Sequence, residues 1–450
     1  MPLSSICRCR GLIGGREYGL IMRMLQIIII ADDLTGAADT GVVFAQAGLT
    51  TLIALHGTFG ETPRRGVSTA ARRTPKFPDC DVLALSTESR QVSREEAAER
   101  VRRACRGLSA DELVCVYKKM DSTLRGHPAA ELAAIMEVLK IERAAVAPAF
   151  PAQGRTTVGG RQLAGGTPVE RTAFGRDVPD SDLVELFRKA AGGRQVRRVG
   201  RESVLSEAFL PGRDDSGIVV ADAETDADLL MIAQAAVQGG VRLFCGSAGL
   251  ARALVKVLAL RPVSPTPTPL PSPRGPVLVV AGSRHPSTAR QVEFARRKGA
   301  AVVRPGPAFF GGDMGVEIRE ASEHLRAGRD VVLTTVGSDD SPLGGPAVAE
   351  RLAQMVWRLV VGDGGRSSCK QPVPDVTVGG LVLTGGDIAA AVCAALEVSA
   401  IWLRSEVQPG VPFGILIDGA RSGLCVVTKA GGFGGDDTLF AAIGYLNTGR

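Results

Sequence analysis

The sequence predicts an α/β protein of two domains, each a mostly parallel sheet with helices on both faces. Three observations carry this expectation. Short apolar runs alternate with longer amphipathic stretches almost throughout, as happens when strands buried on both faces alternate with covering helices. Glycine is abundant, 55 of 450 residues, so many turns must let backbone approach something closely. Between Arg261 and Pro276, seven of 16 residues are proline. That leaves little capacity for helix or central strand and reads as an extended interdomain connector.

Length supports the division, because a single core stops growing at roughly 250 to 300 residues. The expected boundaries are an N-terminal extension over 1–24, a first domain over 25–260, a linker over 261–276 and a second domain over 277–450. Lys and Arg total 53 against 47 Asp and Glu, a formal charge of +6, which excludes a strongly cationic nucleic-acid scaffold. Aromatic residues are only 4% of the chain, too few for a base-stacking platform. Nine scattered Cys and four His suggest neither a disulfide framework nor a zinc site, and a reducing compartment fits best. Cys7 and Cys9, one residue apart, are read as incidental. No run approaches the roughly 18 apolar residues of a membrane span. Residues 1–24 carry Arg8, Arg10, Arg16 and Arg23 without the apolar stretch of a secretory signal. They read as a disordered extension or a mis-assigned start ahead of Met22 or Met24, and the expected location is cytoplasmic.

In chain order, the first strands are expected at Gln26–Ala31, Leu113–Tyr117, Ala144–Ala147 and Gly217–Ala221. A later set is expected at Pro276–Ala281, Val331–Thr335, Leu381–Thr384, Ala400–Leu403 and Leu424–Thr428, forming a second, separate sheet. A polar stretch, Gly362–Asp375, reads as an excursion within the second domain. Loops after strands of such sheets hold ligands.

The first such loop follows four consecutive Ile with Asp32 and Asp33, then Thr35 and Gly36 opening a helix. Capping accounts for one acid. A second at a strand's carboxyl end points to orienting or deprotonating a hydroxyl, and either could do so. The second loop, within Tyr117–His127, places Lys118, Lys119, Asp121, Ser122, Thr123 and Arg125 upstream of a helix. Pro128 starts that helix, and Leu132, Ile135, Met136 and Leu139 share one face. Cations and hydroxyls beside a helix start suit an anionic, hydroxylated ligand. Arg125 offers the planar fork that grips a carboxylate, whereas lysines act as point charges. The third loop, Ala147–Arg155, is pre-shaped by two prolines, and Arg155 is a candidate second anion contact.

Beyond the linker lie three glycine-containing turns: Ala281–Ser283 before His285 and Pro286, Leu383–Ala389, and Thr428–Gly435. Glycine lets backbone amides reach phosphate oxygens. His285 reads as structural. Neither GxxxxGK[ST] nor GxGxxG is present, which argues against P-loop and Rossmann dehydrogenase readings.

These motifs resemble the four-carbon acid sugar kinases over roughly Leu25–Leu446. The anchors are ADDLTGA, KKMDSTLRG, PAFPAQGR and RDVPDSDL in the first half. In the second they are GSAGLA, GSRHPSTARQ, TGGDIA, PGVPFG and TKAGGFG. The resemblance implies an acid-sugar domain followed by an ATP domain, with the active site in the cleft between them. It implies that Asp32, Asp33, Lys118, Asp121, Ser122 and Arg125 line the sugar site, and that Ser283, Gly385, Gly386, Asp387, Ile388, Gly431 and Gly432 surround ATP. His127 stands where other members often have Asn, which bears on substrate choice.

The expected reaction is transfer of the ATP γ-phosphoryl group, with Mg2+, to a hydroxyl of threonate, erythronate or a 3-oxo-tetronate, at its terminal carbon. Asp32, Asp33 and Arg125 are the expected catalytic residues, and the metal ligands are left unassigned. Expected partners are the small-molecule acid sugar and ATP, with no nucleic acid and no membrane, and the chain is compatible with a homo-oligomer. Two alternatives are a non-catalytic bilobal acid-binding module and a Schiff-base lyase using Lys118 or Lys119.

Overall fold

The computed structural model describes residues 25–55, 79–178, 180–203, 216–263, 275–282, 285–336, 345–362 and 376–449. The expected N-terminal extension, Cys7 and Cys9, most of the proline-rich connector, nearly all of the 362–375 excursion and Ser283 lie outside them.

The first half runs β1 (Ile27–Ala31), α1 (Leu34–Gln46), β2 (Thr51–Ala54), β3 (Val82–Ser86), α2 (Arg94–Ala104), β4 (Cys115–Lys119), α3 (Pro128–Leu139) and β5 (Arg143–Ala147). A small antiparallel sheet follows, made of β6 (Arg155–Val158), β7 (Arg161–Ala164) and β8 (Thr167–Pro168). Then come α4 (Leu183–Arg188), β9 (Gln195–Val199), β10 (Gly217–Ala221), α5 (Asp226–Gln238), β11 (Leu243–Gly246) and α6 (Ala248–Val257). The second half runs β12 (Val277–Ala281), α7 (Pro286–Arg297), β13 (Ala301–Val303), α8 (Pro307–Gly311), α9 (Gly315–Arg326), β14 (Val331–Thr334) and α10 (Gly345–Val360). It ends with β15 (Gly380–Thr384), α11 (Gly386–Ala395), β16 (Ala400–Gln408), β17 (Val411–Ile417), β18 (Cys425–Lys429) and α12 (Thr438–Thr448).

The two parallel arrays, expected as separate sheets, are joined into one sheet of 15 strands. Strands β2, β3, β1, β4, β11, β5, β10 and β9 form the first parallel array, and β13, β14, β12, β15 and β18 the second. Between them, β18–β17, β17–β16 and β16–β2 are all antiparallel. Ala400–Leu403, expected as one more parallel strand, is the start of this seam. Three reversals in succession would leave the carboxyl ends of the two arrays on opposite edges of a flat sheet. The seam is not flat: β16 carries register shifts at Leu403/Ser405 and Glu406/Gln408, and bulges bend and twist a strand locally. Helix α1 packs against β16 and α11 as well as its own array. Gly41 permits this, since a Cβ there would sit 2.7 Å from the Leu403 side chain.

Strand β4 runs two residues beyond the expected end at Tyr117, so Lys118 and Lys119 are strand residues paired with Ile30 and Ala31 of β1. Alternation along a strand then sends them to opposite faces. Helix α3 starts at Pro128 as expected, and Leu132, Ile135, Met136 and Leu139 are all buried.

Candidate functional site

Register gathers the loops. Ala31 pairs with Ser86 and with Lys119, so the chain after β1, β3 and β4 emerges side by side. Ala281 pairs with Thr384, and Thr384 with Lys429, which aligns the three glycine turns of the second half. Both groups line one cavity of about 530 Å³.

On the first-half side stand Asp32 and Asp33. Arg90 locks both: its Nε and Nη2 donate to the two Asp32 oxygens at 2.7 and 2.9 Å, and its Nη1 donates to Asp33 Oδ2 at 2.6 Å. Burial alone would raise the Asp32 carboxyl, but Arg90, Lys118 and Lys119 outweigh it and hold it below the usual range. Arg90 is in turn held well above its ordinary value, burial being overcome by Asp32, Asp33 and Asp121. Asp33 also caps α1, accepting from the Gly36 amide at 2.7 Å and from the Thr35 hydroxyl at 2.8 Å. A Cβ on Gly36 would sit 2.6 Å from Asp33 and 3.2 Å from Lys119 Nζ, so glycine is what fits between them.

Asp121 accepts from Arg125 Nε at 2.5 Å and from the Thr123 hydroxyl at 2.6 Å. Against burial, Arg125 and Arg90 hold its carboxyl well below the usual range. Ser122 and Arg155 complete this wall. Arg155 donates through Nη1 to the Gln153 carbonyl and faces the Phe174 ring at 5.7 Å, while its buried Nε has no partner among the described residues.

Lys118, expected here, does not line the cavity. Its Nζ sits 2.6 Å from Glu131 on α3, and both side chains are fully buried. Burial would lower this lysine, but Glu131 and Asp32 raise it. The next residue, Lys119, points the other way and lines the cavity. A strand reading that ended at Tyr117 could not separate the two lysines by face.

The second-half side is built from backbone. Gly385 has φ +100 and precedes α11, whose first residues Gly386, Asp387 and Ile388 face the cavity. A Cβ on Gly386 would lie 3.0 Å from Asp33 Oδ2, so the two halves touch where their loops meet. Burial, then the nearby Asp33 charge, raises Asp387. Gly431 and Gly432 form the adjoining turn. Lys429, almost wholly buried, donates to the carbonyls of Ala430, Gly431 and Phe433 at 2.8, 3.0 and 3.1 Å and holds that turn in shape. Burial pushes Lys429 down to about 8. His285, read as structural, does cap α7 through Nδ1, but it also lines the cavity beside Gly432.

Several lining residues were missed from sequence. Arg90 and Glu88 follow β3, whose apolar run before STESR carries the same signal as β1. Glu88 adopts φ +47, uncommon for a side-chain-bearing residue, while Arg100 donates to its carbonyl at 2.6 Å. Burial, with the Asp33, Asp387 and Asp32 charges, pushes its carboxyl up to about 7. Lys119 was named among the cations of the second loop without a place in the sugar site, and Asp39, two residues past ADDLTGA, was not singled out.

Comparison with known proteins agrees with the two-part build. A family model for a sugar-binding N-terminal domain matches residues 27–254, and one for a nucleotide-binding C-terminal domain matches 278–439. A D-threonate kinase of Salmonella typhimurium is 34% identical over 452 residues, covering 94% of this chain and 98% of that protein. A D-erythronate kinase of Heliobacterium modesticaldum is 31% identical, covering 94% and 98%. A solved structure from Salmonella typhimurium LT2 aligns with TM-score 0.67 at 20% identity over 93% of this chain and 99% of that one, a likeness of fold.

Proposed function

The chain belongs to the four-carbon acid sugar kinases, and from that premise we propose that it transfers the γ-phosphoryl group of ATP to a hydroxyl of a tetronate. The observation that carries this reading is a single cavity walled by Arg125, Arg155 and Lys119 on one side and by glycine turns on the other. The first wall suits a hydroxylated carboxylate. The second suits a triphosphate, because amides without side chains can reach phosphate oxygens.

Arg125 holds the substrate carboxylate, with Arg155 as a second contact and Asp121 and Ser122 shaping the pocket. Asp32 and Asp33 act through Arg90, setting the charge beside the acid sugar. Gly385 to Ile388, with Gly431, Gly432 and Ser283, surround ATP. The residues fit that ligand: a Cβ on Gly385 would meet nothing within 4 Å, so the turn leaves open space beside its backbone. Among the described residues no three His, Cys, Asp or Glu side chains are grouped to hold a metal ion. Mg2+ bound with a nucleotide is ordinarily held by one or two carboxylates together with phosphate oxygens and water. We read 25–260 as the acid-sugar domain and 277–450 as the nucleotide domain, with 261–276 connecting them. The six described cysteines are free thiols, which supports a reducing, cytoplasmic setting. No helix among the described residues is long and apolar enough to cross a membrane.

The test is an ATP-consumption screen over D- and L-threonate, D- and L-erythronate and their 3-oxo forms, followed by identification of the phosphorylated carbon. ATP turnover with none of them would overturn the kinase reading. Calorimetry showing acid binding without ATP binding would favour a binding module, and borohydride trapping of a carbonyl substrate would favour a lyase. The lyase reading already loses Lys118, whose ammonium is ion-paired rather than a free amine.

Arg125→Ala should raise KM for the acid. A desolvated charged contact is worth about 2 to 5 kcal/mol. Since 38% of the Arg125 side chain is exposed, the low end applies, or about 30-fold. Unchanged kinetics would remove Arg125 from the site. Gly432→Val should weaken ATP binding by about tenfold or more, roughly 1.4 kcal/mol, and leave acid binding unaltered by calorimetry. Equal losses for both ligands would point to misfolding instead.

A further inference from the structure

We propose that Asp39, rather than Asp32 or Asp33, is the base that accepts the hydroxyl proton during phosphoryl transfer, an inference resting on the kinase reading above. Asp32 and Asp33 are committed elsewhere. Arg90 takes both oxygens of the first, and Arg90, Thr35 and the Gly36 amide occupy the second. Oxygens so engaged already accept from protein donors and are not free to receive the substrate hydroxyl.

Asp39 lies on α1 beyond the capped first turn and lines the same cavity. Its Oδ1 is buried and makes no hydrogen bond among the described residues. A buried, unsatisfied carboxylate oxygen is costly, and the cost would be recovered when a ligand hydroxyl donates to it. Its place is also where two ligands would meet. Lys119 acts on it from the first half, while Gly410 approaches from the second with Phe433 against it, Phe433 belonging to the same turn as Gly431 and Gly432. A Cβ on Gly410 would come 3.5 Å from Asp39 Oδ1.

The charged groups facing Asp39 are Lys119 on β4, Glu406 on β16, Arg252 on α6 and Asp33 at the start of α1. Burial is the largest influence and pushes the carboxyl up to about 6, with Lys119 and Arg252 opposing and Glu406 and Asp33 assisting. A base with that value is mostly ionised at neutral pH yet basic enough to receive a proton. In the step itself, the substrate O–H bond breaks and its proton passes to Asp39 Oδ1. The freed oxygen bonds the γ-phosphorus as the bond to the β,γ-bridging oxygen breaks. ADP leaves with that electron pair, and Asp39 returns its proton to solvent.

The test compares wild type with Asp39→Asn on the best tetronate from pH 5 to 9, with ATP and acid binding followed by calorimetry. Asp39→Asn is expected to lower kcat by about 100-fold or more, to keep both ligands' affinities within a few fold, and to lose the acid limb of kcat/KM near pH 6 that wild type shows. A variant with kcat within about threefold of wild type and the limb intact would overturn the proposal. Should the variant not fold, the wild-type profile alone decides: a kcat/KM flat between pH 5 and 8 overturns it. Wild-type turnover with an unaffected variant ends this inference alone, whereas a wild type that consumes no ATP with any tetronate ends the kinase reading and this inference with it.

Discussion

Arg90→Ala is expected to destabilise the protein by about 3 to 5 kcal/mol, because removing one partner of a buried ionic cluster leaves the other charges uncompensated. Here two carboxylates are stranded at once, since Arg90 is the shared partner of Asp32 and Asp33. The pH dependence carries the signature. In wild type, Asp32 has a folded value below its unfolded one. Its contribution is therefore fully present above the unfolded value near 3.8 and is lost as pH falls through the folded value. Without Arg90, burial is opposed only by Lys118 and Lys119, so the folded value rises and the stability that Asp32 contributes above about pH 4 shrinks. Urea unfolding at pH 5 and pH 8 checks this. A variant within about 1 kcal/mol of wild type at both would refute the clamp. Arg90→Lys should rescue only part of the loss, because one ammonium cannot span two carboxylates as a guanidinium fork does.

The second large effect concerns Lys118. Lys118→Met should cost about 3 to 5 kcal/mol by leaving Glu131 buried without its cation, while KM for the acid stays near wild type. The double variant Lys118→Met, Glu131→Leu should recover most of that loss, since apolar groups of similar volume often replace a buried ion pair without penalty. Only a small residual deficit, below about 1 kcal/mol, is expected from Ser89, whose hydroxyl donates to Glu131 at 2.5 Å but keeps Thr87 Oγ1 at 2.7 Å as an alternative partner. A stable Lys118→Met with a much raised KM would instead return Lys118 to the ligand site.

The contrast between Lys118 and Lys119 shows where reading along the chain stops. Apolar runs of Ile, Val and Leu located nine of the 18 described strands, proline located the start of α3, and the acids and glycines at strand ends located the loops of the cavity. These are local signals, with periods of two or 3.6 residues and conformational limits of single residues. Arg90 carried the same strand-then-polar signal as Asp32, yet its partnership with a residue 58 positions away has no local trace.

What the sequence alone determined is those strands, the start of α3, the loops that line the cavity and the family. Which lysine faces the cavity depended on where β4 ends, because one residue of difference reverses the face. Which acids are engaged depended on Arg90 arriving from the loop after β3. That the two arrays share one cavity depended on a bulged antiparallel seam at β16 and on Gly41 admitting Leu403. Each is a long-range packing outcome: side-chain partners and sheet curvature are set by what the folded chain brings together, and no window of neighbouring residues contains that information.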